Sequence, residues 1–349
     1  MDFCIQLSAY YPDKNYGGKQ LYQDMLEQAV LADQCGYEAV SITEHHLISI
    51  LLMPAPLQFA VKIASMTDQV KILTSVVVLP IHDMRVYAGE LICADIFTDH
   101  RLMLGVGRGA FEFESSRFDV PLDISREKFD ESLNVLQALL SHEEVSWKGK
   151  YYNFEALTVM PRPENKLPIM MGVVSPSAIY HCAKRGFHIQ TTPLSGTHQH
   201  MLDQVEAFNT GKAENTENDD DLSLSLSRVT FLSNDKKDRE RIISQAHHYY
   251  GQFDNVYTGP GIVENGMIKP IPRNVPISQT KNNLLIAGKD EMIDTLSQYA
   301  EAGVDRFIMN INFGICQQET LDCIQRFSED IMPTFTKASV VSKSLGVVK

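Results

Sequence analysis

Short runs rich in aliphatic and β-branched residues alternate along the chain with longer stretches of helical periodicity. That alternation predicts a parallel sheet whose strands are joined by helical crossovers. Strand-type runs fall at 2–8 (DFCIQLS), 37–43 (YEAVSIT), 71–79 (KILTSVVVL), 101–106 (RLMLGV), 168–174 (PIMMGVV), 187–191 (FHIQT), 225–232 (SLSRVTFL) and 304–311 (VDRFIMNI). Helical patterns occupy 19–35, 55–66, 85–97, 125–141, 176–185, 197–209, 235–250 and 288–302, with a last one at 317–331. Several end at a glycine just before the next strand, as in DQCGYEAV, AKRGFHI and AEAGVDRFI, where a left-handed residue closes the helix. Eight such units predict an α/β fold of the (β/α)8 TIM-barrel type, with an open doubly wound sheet as the alternative.

Three segments stand outside the repeat: 107–124, a hairpin-like VSWKGKYYNFEAL at 145–157, and the Gly- and Pro-containing 251–287. The last reads as a long mobile loop after the seventh helix, because structureless loops of that length inside a domain are usually lids or binding segments. The acidic 212–221 has no apolar face and reads as a solvated connector. Residues 1–335 are expected to form one domain, and 336–349 a small polar tail with little to anchor it.

Composition narrows the function without naming it. Hydrophobic residues make up 44% of the 349 and charged residues 21%, the balance of a globular chain able to bury a large core. A net charge of −13 and the lack of any basic run exclude a protein built to grip nucleic-acid phosphates. The six cysteines are scattered singly, a pattern of reduced thiols rather than a disulfide framework or metal finger. MDFCIQLSAYYPDK has no signal-peptide character and no run of 18 apolar residues follows it, so the cytoplasm is the expected address.

In a barrel of this kind chemistry lies at the C-terminal ends of the strands. The second predicted strand ends in Glu44-His45-His46, the third contains Thr74-Ser75 and runs into Pro80-Ile81-His82, the fourth ends in Gly107-Arg108-Gly109, and the fifth in Ser175-Pro176-Ser177. Adjacent strand residues face opposite ways, so His45 and His46 cannot share a metal ion without irregular backbone, and no zinc-type HxH or HExxH spacing is present. Proton transfer suits two imidazoles and a carboxylate better than metal binding does, and plain polar residues capping a strand are the remaining reading. GVGRGA formally satisfies a dinucleotide fingerprint but sits on the fourth strand and opens no helix. It reads either as backbone passing close to a flat or anionic ligand beside the Arg108 fork, or as a tight turn. Ser175 and Ser177 are helix caps, or a phosphate seat at a helix N-terminus completed by Arg108.

Together GYEAVSITEHH, ILTSVVVLPIH, RLMLGVGRGAFEFE, SREKFDESLNVL, MGVVSPSAIYHCAKRG and AGVDRFIMNI leading to DIMPTF resemble the bacterial luciferase-like flavin monooxygenases, the luciferase catalytic-subunit group most of all. The resemblance spans roughly 1–335. It implies a (β/α)8 barrel that takes reduced FMN (FMNH2) from a separate reductase, activates O2 as a flavin C4a-peroxide and oxygenates a small organic substrate. By the same resemblance His45 is the catalytic base or proton shuttle, with Glu44 beside the flavin. Ser75 and Val76 form a non-prolyl cis peptide under the ring, Gly107 leaves space over it, and Arg108, Arg126, Ser175 and Ser177 hold the phosphate. Luciferase has a cysteine at Gly107, and its absence says nothing in favour of light emission; luciferase also has a carboxylate and a hydroxyl where Val174 and Ala178 stand, so a long-chain aldehyde is not the expected substrate. A homodimer through helices beside strands two to four is also implied, as is a lid at 251–287. Two other readings within the resemblance are a deazaflavin-dependent hydride transferase and a non-catalytic partner subunit.

Overall fold

The computed structural model describes residues 1–215 and 221–335. Among them eight parallel strands form the barrel: β1 (Asp2–Leu7), β2 (Ala39–Ile42), β3 (Lys71–Thr74), β4 (Leu102–Gly107), β5 (Ile169–Gly172), β6 (His188–Thr191), β7 (Leu224–Leu232) and β8 (Arg306–Asn310). The ring is closed, because Gln6 of β1 lies opposite Asn310 of β8 and β7 pairs with both β6 and β8. Each strand falls within or against one of the eight expected runs, and closure excludes the doubly wound sheet.

The crossover helices are α1 (Gly18–Gln34), α2 (Pro56–Ala64), α3 (Met84–Phe97), α4 (Leu122–Ser141), α5 (Pro176–Lys184), α6 (His198–Ala213), α7 (Lys236–Tyr257) and α8 (Lys289–Ala302), followed by α9 (Gln317–Asp330). In α1, Leu21, Met25, Ala29 and Ala32 recur at helical spacing and are all buried against the strands. Gly36, Gly186 and Gly303, which follow α1, α5 and α8, have φ of +77, +81 and +110, the left-handed region that favours glycine. Among the described residues no helix is long and apolar enough to cross a membrane.

The main core fills the shell between strands and helices, while Cys4, Ala39, Leu73, Met170 and Ile308 form a separate apolar plug low inside the barrel. Alternation along the strands then places Gln6, Ser8, Gln190, Ser227 and Asn310 on the same inner face, nearer the C-terminal mouth. The contacts agree: Ser227 donates to Gln6 Oε1 at 3.2 Å, and the Gln190 amide donates to the Ser75 hydroxyl. The lumen is therefore apolar at its base and polar near its mouth.

Two expectations are corrected. The third strand ends at Thr74 instead of continuing to 79, because the backbone turns through a cis Ser75–Val76 bond before Val77–Val78 pairs with β4. The segment 251–287 is not one long loop. The helix α7 runs on to Tyr257, Val263–Glu264 pairs antiparallel with Met267–Ile268, a short helix covers Ile277–Asn283, and Leu285–Ala287 pairs with the upper end of β7. Gly251 looks like a helix breaker in sequence but is a packing residue, since a Cβ there would lie 2.8 Å from the carbonyl oxygen of Ile271. The hairpin expected at 145–157 is present as Val145–Lys148 paired with Asn153–Leu157. Half of the acidic connector, residues 216–220, and the tail after 335 lie outside the described residues.

Candidate active site

The strand β2 stops at Ile42, and the chain continues as a loop fastened at two points. The Thr43 hydroxyl donates to the Leu51 carbonyl at 3.0 Å, and His45 and Met53 exchange backbone hydrogen bonds of 3.2 and 3.0 Å. Glu44, His45 and His46 are thus held rigidly just past the strand, where side-chain alternation no longer dictates direction.

Glu44 is buried, at 1% exposure. Its Oε1 sits 2.7 Å from His82 Nε2 and 3.1 Å from His46 Nε2, and its Oε2 accepts from the Val78 amide at 2.6 Å. Burial pushes this carboxyl up, but the hydrogen bonds with His46 and His82, the nearby His82 charge and the Val78 amide outweigh it and hold Glu44 below the ordinary range. The same bond to Glu44 raises His46, against the opposing effect of burial. Glu44 is therefore an anion that gathers two imidazoles and one strand end.

His45 turns the other way, to a carboxylate that its own segment does not contain. Its Nδ1 hydrogen-bonds Glu114 Oε2, while Glu114 Oε1 accepts from the amides of His46 at 2.6 Å and Leu47 at 2.9 Å. Burial raises Glu114, yet His45 and the two amides bring it down to about 2. The imidazole also stacks on Phe111, centroids 4.5 Å apart and planes at 24°. Glu114 lies in 107–124, a stretch whose conformation the sequence leaves open. A carboxylate alternating with phenylalanine in FEFE was the available signal, and it named no partner.

Beside this cluster, Val76 of the cis peptide is seated between two glycines. A Cβ on Gly107 or on Gly172 would come within 2.6 Å of a Val76 methyl, and one on Gly105 would lie 2.0 Å from the Thr74 carbonyl oxygen. The glycines of GVGRGA thus serve close packing of β3, β4 and β5 around Ser75–Val76. Gln190, which the sequence did not single out, holds Ser75 from across the lumen.

The arginines lie at the next strand ends. Arg108 donates to the Ser125 hydroxyl at 3.2 Å, which ties it to the first turns of α4. Val106 is opposite Met171 in the β4–β5 pairing, so Arg108 follows directly beside the turn that carries Ser175. Ser175 caps α5 by accepting from the Ala178 amide at 3.3 Å, and Ser177 is exposed in the same first turn. Arg126 is exposed; burial raises the Cys182 thiol of α5, and Arg185 and Arg126 lower it. The strand ends therefore bring Glu44 and His45 to one side of Ser75–Val76 and the arginine–serine group to the other. Above them Phe253 and Tyr257 of α7 meet Phe111 edge-on at 5.4 and 6.1 Å. About 20 Å³ is left open between Glu44, His45, His46, Phe111 and Glu114, space on the scale of one water.

A closed parallel barrel with a carboxylate-held imidazole at its mouth is one observation; the match to known chains is the other, and it covers residues 1–306, against the luciferase-like monooxygenase family. The chain belongs to that family. A flavin-dependent trigonelline monooxygenase, oxygenase component, of Acinetobacter baylyi is 26% identical over 92% of this chain and 92% of its own length. An F420-dependent glucose-6-phosphate dehydrogenase of Amycolatopsis mediterranei is 23% identical over 89% and 94%. Among solved structures, the oxygenating constituent of 3,6-diketocamphane monooxygenase from Pseudomonas putida, in complex with FMN, superposes with a TM-score of 0.77 at 16% identity, covering 95% of this chain and 98% of its own, which shows a shared fold. This luciferase-like chain is thus an enzyme of the flavin-dependent monooxygenase type, and its cofactor and partners are questions for its own residues.

Proposed function

We propose that this luciferase-like enzyme is the oxygenase component of a two-component system, taking reduced FMN from a separate flavin reductase and placing one atom of O2 into a small organic substrate. The observation that carries the reading is the His45–Glu114 pair at the strand ends, beside Ser75–Val76 and opposite Arg108. The residues fit FMN chemically. Arg108, Arg126, Ser175, Ser177 and the first amides of α5 offer a doubly charged phosphate a guanidinium fork, hydroxyls and a helix N-terminus. The glycine-cradled Val76 offers a flat apolar seat for a ring. Bound there, the reduced flavin would supply the electrons that activate oxygen.

The protein's part is to orient, exclude water and manage a proton. In neutral His45 the bond to an ionised Glu114 fixes the proton on Nδ1 and leaves Nε2 as the atom that exchanges one. Glu44 acts through His82, His46 and the Val78 amide, shaping the backbone beside the ring. Phe111, Phe253 and Tyr257, with the elements at 258–284, form the lid that dries the mouth. The exposed Val86 and Phe97 of α3 and Met66 after α2, at 61, 65 and 44% exposure, supply apolar surface for a homodimer on the face beside strands two to four.

Anaerobic titration with reduced FMN tests the reading, with F420 run in parallel because one relative carries that cofactor in its name. Micromolar binding of reduced FMN, followed by oxygen consumption on mixing with air, is the expected result. Binding of F420 alone would assign the chain to hydride transfer instead, and binding of neither would sink the proposal. A chain that never turns over by itself yet activates a second subunit would mark it as a supporting protomer.

A further inference from the structure

We propose that the groove between α7 and the turns following β1 and β8 binds the organic substrate, and that this substrate is a planar aromatic ring bearing a neutral hydrogen-bonding substituent. The proposal rests on the oxygenase reading for the word substrate, and on the groove itself for the chemistry. The groove holds about 680 Å³, within the several hundred Å³ of ordinary small-molecule sites. It opens on the β8–β1 side of the barrel mouth, whereas the residues assigned to the flavin follow β2 to β5. Both can therefore be filled together.

Its lining sets the class of ligand. Tyr10 and Phe313 face Ser244, Gln245, His248 and Arg241 of α7, which recur at helical spacing along one side of that helix. No Leu, Ile, Val or Met of the described residues lines it, so a long alkyl chain has nothing suitable to lie against. The rings of Tyr10 and Phe313 meet the buried Tyr249 at centroid distances of 5.9 and 6.4 Å, giving an aromatic floor on which a flat ring can stack. Tyr10 itself rests on Gly314, where a Cβ would lie 3.3 Å from the Tyr10 ring. The only guanidinium in the lining is already engaged: Arg241 pairs with Asp238 at 2.7 Å and also with Glu319. A full anionic partner is thus not called for, and the Ser244 hydroxyl and the His248 ring are left to read a neutral polar group, beside a Gln245 amide that accepts from Arg241 and donates to the Gly314 carbonyl through long bonds of 3.4 Å each.

The test uses the full chain and three probes, benzamide, nicotinamide and decanal, followed by ligand-observed NMR. Ser244 is exposed on α7, so Ser244→Trp fills the groove without touching the core, and Gln245→Ala is a second, smaller change. The expected result is binding of both aromatic amides, weakened at least tenfold by Ser244→Trp and several-fold by Gln245→Ala, with decanal unaffected by either. Affinity for reduced FMN should be unchanged in both variants. Amide binding that ignores both substitutions, or decanal binding that Ser244→Trp abolishes, would overturn the inference. Failure of the parent chain to bind reduced FMN would instead remove the oxygenase reading and leave the groove result standing.

Discussion

Glu114→Gln keeps the shape of the side chain at the centre of the site and removes its charge. The carboxyl stands at about 2 in the folded protein against an ordinary 4.5, and a depression of that size corresponds to about 3 kcal/mol of stability at neutral pH. The sign follows from the direction: the folded value is below the unfolded one, so the contribution is complete above pH 4.5 and disappears as pH falls toward 2. By pH 3 about 1 kcal/mol should remain. Urea unfolding of the parent and Glu114→Gln proteins, followed by the fluorescence of the single tryptophan, should therefore show a gap of about 3 kcal/mol at pH 7 that narrows to about 1 kcal/mol at pH 3. Glutamine keeps one oxygen, which can serve the His46 and Leu47 amides together or His45 but not both, and that loss adds a part that does not vary with pH. A gap that is constant between pH 7 and pH 3, or that widens on acidification, would refute the view that an ionised Glu114 holds His45 and the two amides.

Other outcomes can be checked with the same preparations. His45→Ala should retain reduced-FMN affinity within about threefold while oxygenation falls about 10²- to 10⁴-fold, as expected for a lost proton-transfer group, measured by stopped-flow oxygen consumption. Arg108→Ala should weaken reduced-FMN binding by one to two orders of magnitude, the scale of a charge-assisted bond to phosphate, in an anaerobic fluorescence titration. Gly172→Ala should lower the melting temperature and flavin affinity, because its Cβ meets a Val76 methyl at 2.6 Å. Adding Val76→Ala should recover much of the loss in a double-mutant cycle, and a purely additive pair would show that the two side chains do not collide.

Much of the barrel was legible because its eight strands are buried on both faces and read as apolar runs punctuated by helix-closing glycines. The strand-end rule then singled out Glu44, His45, Ser75 and Arg108, which the structure places just past the ends of β2, β3 and β4. What sequence pattern could not supply were pairings across long separations. Glu114 meets His45 from 69 positions away, and Gln190 meets Ser75 from 115; both depend on neighbouring strands fixing the ends of segments with no periodicity of their own. His82 stood in the right run, but only the Glu44 carboxylate between it and His46 gives it a purpose. The 251–287 segment was misread because Gly and Pro suggested irregular chain, while Tyr249, Tyr250, Phe253 and Tyr257 continue the α7 face into the aromatic roof. For Ser175 the plain reading as a helix cap and the functional one coexist, since one hydroxyl oxygen can accept from Ala178 and still face a ligand.

The pairing of Leu232 with Ala287 at the top of β7 bears on how such a chain can diversify. Everything between 233 and 284, including α7 and the hairpin, departs and returns at hydrogen-bonded neighbours, and the Ser233 amide already reaches the Ala287 carbonyl at 3.0 Å. Because the pairing is parallel, the connection needs a crossover of about a dozen residues at least, but beyond that length each doubling of the cassette costs only about 0.6 kcal/mol in closure entropy. The roof over the catalytic mouth is thus an exchangeable module, free to be lengthened, trimmed or replaced while the eight strands and their imidazole–carboxylate pairs stay in register.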